Sequence, residues 1–361
     1  MSGSATGPVL VDADGLRRFA RGVLETAGLD GESAALSSDV LVRTTMRGVE
    51  SHGIWFLDRY VRQLREGGAN RAARVRPVAD HGGLLVLDGD AGLGLAVASR
   101  ATRTAIERAG AHGLAVVSVR NANHFGAAGH YALMCAEAGY LGLVTSNTPP
   151  IMAVTGSRSR VIGNNPLAFG VPRTAAPPVV LDIAMSRVAG GKVRMAIERG
   201  DQVPLGWILD PDGNPTTDPE DFFVRRGALL PMEDHKGYGL ALMVEALSAG
   251  LSGAAMTSAV GNWLHTPDTP SDTGFFLMVI DVRTGGPFDA FQDRMRSLCE
   301  EIAGAPRAPS VDRIVMPGDL EHEREVVALA HGVPLRGEIW STLGELAETL
   351  GLEDELASIR R

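Results

Sequence analysis

Apolar residues recur every three or four positions at Leu16, Phe19, Ala20, Val23 and Leu24, and again at Ala34, Leu36, Val40, Leu41 and Val42. This is the period of a helix with one buried face. The chain therefore opens with two amphipathic helices, the first capped near Asp14 and stopped by Gly28, the second running from Asp30 to Met46. After a break at Arg47-Gly48-Val49-Glu50-Ser51-His52-Gly53, a third helix is predicted over residues 55–64. From Val75 the pattern changes to short apolar runs bounded by glycine. Residues 84–87, 114–119, 141–145, 179–183 and 275–281 read as strands, the last of them as a long edge strand. Small-residue helices fall between them: one from Gly94 to about 111, one over 127–138, one opened by Ala189-Gly190-Gly191-Lys192, and a buried one over 238–256. Helical periodicity returns over 288–302 and 319–331, and a last helix starts at Thr342, which with Glu345 forms a capping box.

Helices at both ends with strands between them predict an α/β fold whose termini pack together. Residues 1–75 and 287–361 make one discontinuous helical domain, and residues 76–286 an inserted α/β domain. With 361 residues, two domains is also what length alone suggests. The 44 glycines against 10 Phe, 4 Trp and 4 Tyr imply close packing of small side chains and a backbone that a ligand can approach closely.

A formal charge of −9 argues against nucleic acid as a partner, since a phosphate backbone calls for a basic face. Cys135 and Cys299 have neither a disulfide framework nor metal-ligand spacing and read as buried thiols, so no metal is expected. Residues 1–8 lack a basic start and an apolar block, and read as a loose tail. Glu245 interrupts the most apolar stretch, which argues against a membrane span. A cytoplasmic protein is expected.

Candidate chemistry gathers at strand ends. His124 stands where the strand over 114–119 hands over to a helix, in Asn121-Ala122-Asn123-His124-Phe125-Gly126. Either it serves a ligand there, or Asn121 and Asn123 satisfy its two nitrogens in a structural turn. Ser51 and His52 are adjacent in the first break. Asp182 interrupts an apolar run, which means a carboxylate paired in the core or bonded to a ligand. Gly89-Asp90-Ala91-Gly92-Leu93-Gly94 before a helix imitates the dinucleotide fingerprint, but Val97 stands where its third glycine belongs.

Taken together, Arg47-Gly48-Val49-Glu50-Ser51-His52-Gly53 with Tyr60, Asn123-His124-Phe125-Gly126, Gly163-Asn164-Asn165-Pro166, Leu181-Asp182-Ile183, His235-Lys236-Gly237-Tyr238-Gly239-Leu240 and Met316-Pro317-Gly318-Asp319 resemble the type-2 malate/L-lactate dehydrogenase family. This family also contains ureidoglycolate and sulfolactate dehydrogenases, 2,3-diketogulonate reductases and Δ1-piperideine-2-carboxylate reductases. The resemblance implies a non-Rossmann α/β fold, a homodimer, and an oxidoreductase that uses NAD or NADP on a small-molecule 2-hydroxy or 2-oxo acid. A cyclic imino acid is the alternative substrate, and a catalytically inactive binding protein the alternative role. By the same resemblance Ser51, His52 and His124 are the catalytic residues, one histidine exchanging the proton that accompanies hydride transfer. Tyr60, Phe56 and Arg59 fall on the substrate side, and Thr148, Leu181, Asp182, Ile183, Lys236, Gly318 and Asp319 on cofactor contacts. One departure bears on the substrate: Phe56 occupies the place of an arginine that many members carry, a position suited to clamping a carboxylate. Arg47 or Arg59 is the candidate replacement.

Overall fold

The computed structural model describes residues 7–361, so the tail expected over residues 1–8 lies, as far as residue 6, outside the described residues. Strand β1 (Val9–Val11) leads into helices α1 (Ala13–Thr26) and α2 (Gly31–Met46). Asp12, not Asp14, caps α1: its carboxylate accepts the Gly15 amide at 2.8 Å, while Asp14 sits in the first turn and pairs with Arg17. Asp30 caps α2 as expected, accepting the amides of Glu32 and Ser33. The third predicted helix is split into a tight turn, Ile54–Phe56, and α3 (Leu57–Glu66).

Next come β2 (Arg76–Asp80), β3 (Leu84–Gly92), α4 (Gly94–His112), β4 (Leu114–Ala122), α5 (Ala128–Glu137) and β5 (Tyr140–Ser146). Then follow β6 (Leu167–Val171), β7 (Val179–Ile183), α6 (Gly190–Arg199), the short pair β8 (Ile208–Leu209) and β9 (Pro215–Thr216), α7 (Glu220–Phe223) and α8 (His235–Glu245). The chain ends with β10 (Thr273–Asp281), α9 (Phe288–Ala303), α10 (Asp319–His331), β11 (Val333–Leu335), α11 (Gly337–Leu350) and α12 (Glu353–Ser358).

Seven strands form one sheet in the order β2-β3-β4-β10-β5-β6-β7, and only β3 and β4 run parallel. A Rossmann sheet is mostly parallel, so this is a different α/β fold. The glycine cluster has a packing role instead. A Cβ on Gly94 would lie 1.9 Å from the Asn123 carbonyl oxygen and 2.4 Å from that of His124, so α4 starts in direct contact with the backbone of the His124 turn.

Strand β10 is not an edge. It is bonded to β4 on one side and β5 on the other, both antiparallel, and Phe275, Leu277 and Val279 are fully buried. Its run is apolar on both faces, as a strand covered on both sides requires. One hydrophobic cluster joins α1, α2 and α3 to the sheet and to Ile339 and Leu343 of α11; a second, around Met152, Met185, Val193, Phe222 and Leu229, lies beyond β7. The chain ends meet, since β1 pairs with β11 and the Asp12 amide donates to the Ile359 carbonyl.

Two further expectations need correction. Helix α11 begins at Gly337, so Thr342 lies inside it, its hydroxyl donating to the Glu338 carbonyl at 3.1 Å; there is no capping box. The buried helix expected over 238–256 ends at Glu245, continues as a wide turn over Ala246–Gly250, and is buried on one face only. Its small residues, Gly237 and Ala241, face inward, while Leu240, Leu242 and Met243 are exposed. Glu245 is accommodated in this apolar stretch because it accepts from the Asn147 and Asn165 amides and the Thr257 backbone amide. Both cysteines are free and buried. Among the described residues, no helix is long and apolar enough to cross a membrane.

Candidate active site

The position of His124 is set by its neighbour. Asn123 is fully buried; its carbonyl oxygen accepts from Gln63 Nε2 and the Ser271 amide, both at 2.9 Å, and its amide group reaches the carbonyls of Gly68, Ala91 and Gly92. Asn121 turns away, donating to Asp88 at 2.9 Å. Neither asparagine serves the imidazole. His124 Nδ1 is bonded instead to the Tyr60 hydroxyl, 2.7 Å away, and Tyr60 is held by α3.

His52 closes a single helical turn, Glu50–His52, and its Nδ1 lies 2.9 Å from Ser51 Oγ. Gly53 has to be small: a Cβ there would sit 2.3 Å from the Thr45 hydroxyl, which also accepts the Ile54 amide at 2.8 Å. This contact brings the turn back onto α2 and sets His52 against His124. The two rings are stacked, with centroids 5.7 Å apart and planes 26° from parallel. Phe56 meets both edge-on, at 6.1 and 6.0 Å.

Trp263 completes the cluster, stacked on His124 at 4.8 Å and on Tyr60 at 5.0 Å. It lies in an irregular Pro- and Thr-rich loop, where hydrophobic periodicity gives no signal. An isolated tryptophan in such a loop was the one available hint, because a ring of that size rarely stays in solvent.

A cleft of about 280 Å³ is lined by Arg47, Val49, Ala127, Gly129, Leu181, Asp182 and Gly318 among others, and by neither His52 nor His124. Val49 and Ala127 connect it along the chain to His52 and His124. Asp182 faces this cleft, accepting the Gly129 amide at 2.9 Å, and the protein around its carboxyl pushes the pKa up to about 6 despite that bond. Arg47 is committed to Glu325 at 2.7 Å. Asp319 points elsewhere: its carboxylate accepts the Met316 amide and approaches Arg173, lining a neighbouring cavity of about 400 Å³. Thr148 bonds to Asn164 at 3.1 Å, Ile183 packs against the second hydrophobic cluster, and Lys236 is exposed in the first turn of α8. These four residues lie outside the lining of the Asp182 cleft. Arg59 lies over the Trp55 ring, 5.9 Å from its centroid.

Residues 11–344 match the family model for malate/L-lactate dehydrogenase. The chain belongs to the malate/L-lactate dehydrogenase family. Malate dehydrogenase of Pyrococcus horikoshii is 37% identical over 352 residues, covering 96% of each chain. The structure of sulfolactate dehydrogenase from Methanocaldococcus jannaschii superposes with a TM-score of 0.89 at 30% identity, covering 97% of this chain and 99% of that one. Δ1-piperideine-2-carboxylate reductase from Pseudomonas syringae gives 0.83 at 30% identity, over 94% and 99%. These relatives are dehydrogenases and reductases, and the malate/L-lactate dehydrogenase fold is shared over nearly the whole chain.

In this family member both imidazoles are kept neutral. Burial lowers the pKa of His52 to about 4; burial, with the charge of His52 added, lowers that of His124 to about 3. An unfolded histidine titrates near 6.5, so between these values the unfolded chain binds more protons than the folded one. The resulting stability is complete above about pH 6.5 and is lost as pH falls through the folded values, each imidazole contributing up to about 1.4 kcal/mol per pH unit. Urea midpoints measured from pH 7 to 4 should therefore fall, and fall less steeply in His124→Asn and His52→Asn, where His130 still contributes. Slopes equal to wild type in both variants would contradict the burial of these rings.

Proposed function

We propose that this chain is an NAD- or NADP-dependent oxidoreductase interconverting a 2-hydroxy acid and a 2-oxo acid. The observation that carries this reading is the stacked pair His52 and His124, each with Nδ1 tied to a hydroxyl and neither with an Nε2 hydrogen bond among the described residues.

The Asp182 cleft suits part of a dinucleotide. At Gly129 and Gly318 its wall carries no side chain, and a Cβ would come within 2.7 Å of the Asp182 carboxylate or 3.1 Å of the Val180 nitrogen. Leu181, Asp182 and Gly318 would hold the cofactor there, with Thr148, Ile183, Lys236 and Asp319 as further proposed contacts. When bound, a nicotinamide supplies or accepts the hydride at the substrate's C2, and the protein's part is the proton on the attached oxygen.

Tyr60 is fully buried, and among the described residues its hydroxyl bonds only to His124 Nδ1. Its phenol proton is satisfied by pointing at that nitrogen, which leaves the His124 proton on Nε2. His124 then holds the substrate oxygen by donating to it. Ser51 is half-buried, so its hydroxyl can rotate to accept from His52 Nδ1 and leave the Nε2 lone pair free. A neutral His52 takes the hydroxyl proton as the alcohol is oxidised. In the reverse direction the substrate carboxylate favours the imidazolium, which returns that proton to the carbonyl oxygen.

The aromatic wall of Phe56, Tyr60 and Trp263 favours a second substrate, a flat cyclic imino acid of the kind named for the Pseudomonas syringae reductase. We also propose a homodimer. Leu240, Leu242, Met243, Leu251 and Met256 are exposed along one stretch of sequence from α8 onward, apolar surface that a partner subunit would cover.

Fluorescence titration with NADH and NADPH should show binding of at least one; binding of neither refutes the assignment. With the preferred cofactor, turnover on a panel of 2-oxo acids and cyclic imines should drop at least about 100-fold in His52→Ala and in His124→Ala, the scale of acid–base catalysis. Wild-type rates in both would remove the proposed roles. Sedimentation should give a dimer, converted to monomer by Leu242→Glu with Met243→Glu; a wild-type monomer would dismiss the dimer.

A further inference from the structure

Three of the proposed cofactor contacts, Thr148, Ile183 and Lys236, lie outside the Asp182 cleft, and one buried polar network joins the segments that carry them. Its centre is Glu245, in the last turn of α8 and only 1% exposed. Oε1 of this carboxylate accepts from Asn147 Nδ2 at 3.2 Å and from the Thr257 amide at 2.8 Å, and Oε2 accepts from Asn165 Nδ2 at 2.7 Å. Both asparagines are fully buried. A carboxylate at such depth is tolerated where donors meet each oxygen, as three do here.

Asn165 passes the constraint on. Its Oδ1 accepts the Thr148 amide at 3.0 Å, while Nδ2 also reaches the Ala241 carbonyl of α8 at 3.0 Å. Its backbone φ of 25° is one that residues with a side chain seldom adopt, so the turn relies on these bonds. Asn164, next to it, accepts the Thr148 hydroxyl at 3.1 Å through Oδ1 and the Met185 amide at 2.8 Å through its carbonyl. Met185 lies two residues beyond Ile183, and its carbonyl accepts the Met232 amide at 2.8 Å; the Met232 carbonyl accepts the amide of Gly237, the neighbour of Lys236, at 2.7 Å. One run of bonds thus connects the residues after β5, before β6 and after β7 with the first turn of α8.

The orientation of the Asn165 amide decides whether this run can form. A carboxylate only accepts, so Asn165 must present Nδ2 to Glu245 and is left with Oδ1 for Thr148. Turned end for end, the same amide would set a donor against the Thr148 N–H. Gly163 makes room for the arrangement, since a Cβ there would lie 2.3 Å from both the Thr148 hydroxyl and Asn165 Oδ1.

We infer that Glu245 is a positioning residue for the cofactor: it fixes the orientation of the Asn165 amide, and through it the place of Thr148 and of the edge that Thr148 shares with Ile183 and Lys236. This inference rests on the oxidoreductase reading. Glu245 itself bonds to none of the three.

The test titrates the full-length protein with NADH and NADPH, well below its unfolding midpoint, as wild type, as Glu245→Gln, and as Glu245→Gln combined with Asn165→Asp. Glutamine keeps an oxygen toward Asn147 and Thr257 but sets a nitrogen against Asn165 Nδ2. The Kd of the preferred cofactor should rise about tenfold or more, the scale of a buried hydrogen bond left unmade. In turnover the loss should fall on cofactor KM more than on kcat, because the imidazole pair lies outside this network. Adding Asn165→Asp puts an acceptor opposite the new nitrogen and keeps the acceptor for Thr148, so Kd should return to within about threefold of wild type. An unchanged Kd in Glu245→Gln, even with a lowered unfolding midpoint, overturns the inference, since the network would then support the fold alone. A double variant that binds no better than the single one overturns it too. If Glu245→Gln does not fold, Glu245→Asp, which withdraws the carboxylate by one methylene, decides by the same rise in Kd. Binding of neither cofactor to the wild type removes the oxidoreductase assignment and this inference together, whereas wild-type binding that the variants leave unchanged removes the inference alone.

Discussion

The site depends on one buried amide. Asn123 ties the end of β4 to α3 through Gln63, to the chain after α3 through Gly68, to the end of β3 through Ala91 and Gly92, and to the loop before β10 through Ser271. Three stretches far apart in sequence, around residues 63–68, 91–92 and 271, thus converge on the residue immediately before His124. In a buried network such bonds reinforce one another, and the Asn123 side chain is satisfied at both its oxygen and its nitrogen, which holds the turn in place. The contact of Gly94 with the same backbone closes the remaining side. His124 inherits its place from these constraints without contributing to them, which leaves its Nε2 uncommitted.

The same burial governs charge. Packing among aromatic rings lowers the pKa of both His52 and His124 and keeps the imidazoles neutral, while a ligand carrying negative charge beside them would make protonation of one cheaper.

Much of this was legible in the residues. The strand ending before His124, the helix opened by Asp30 and the strand carrying Asp182 all follow from period and spacing, because each is decided locally, while the family is carried by the resemblance of its motifs. What was not legible is decided by distant partners. An apolar run such as 275–281 looks the same at the edge of a sheet as at its centre, and only pairing with β4 and β5 distinguishes them. Asp12 and Asp14 are equivalent as caps until the preceding strand fixes where the helix begins. Trp263 owes its position to loop packing that leaves no periodic trace. Asp319 matches a motif by sequence, yet its carboxylate is turned into its own loop.

The insertion of β10 between β4 and β5 affects how the molecule is made. Its two neighbours emerge from the ribosome more than a hundred residues before it does, and at ordinary translation speeds they wait on the order of ten seconds with facing edges unpaired. During that interval the nascent chain presents apolar backbone edges that any extended peptide could occupy. Synthesis of this protein therefore passes through a stage that favours a holding chaperone, and late folding is built into its strand order.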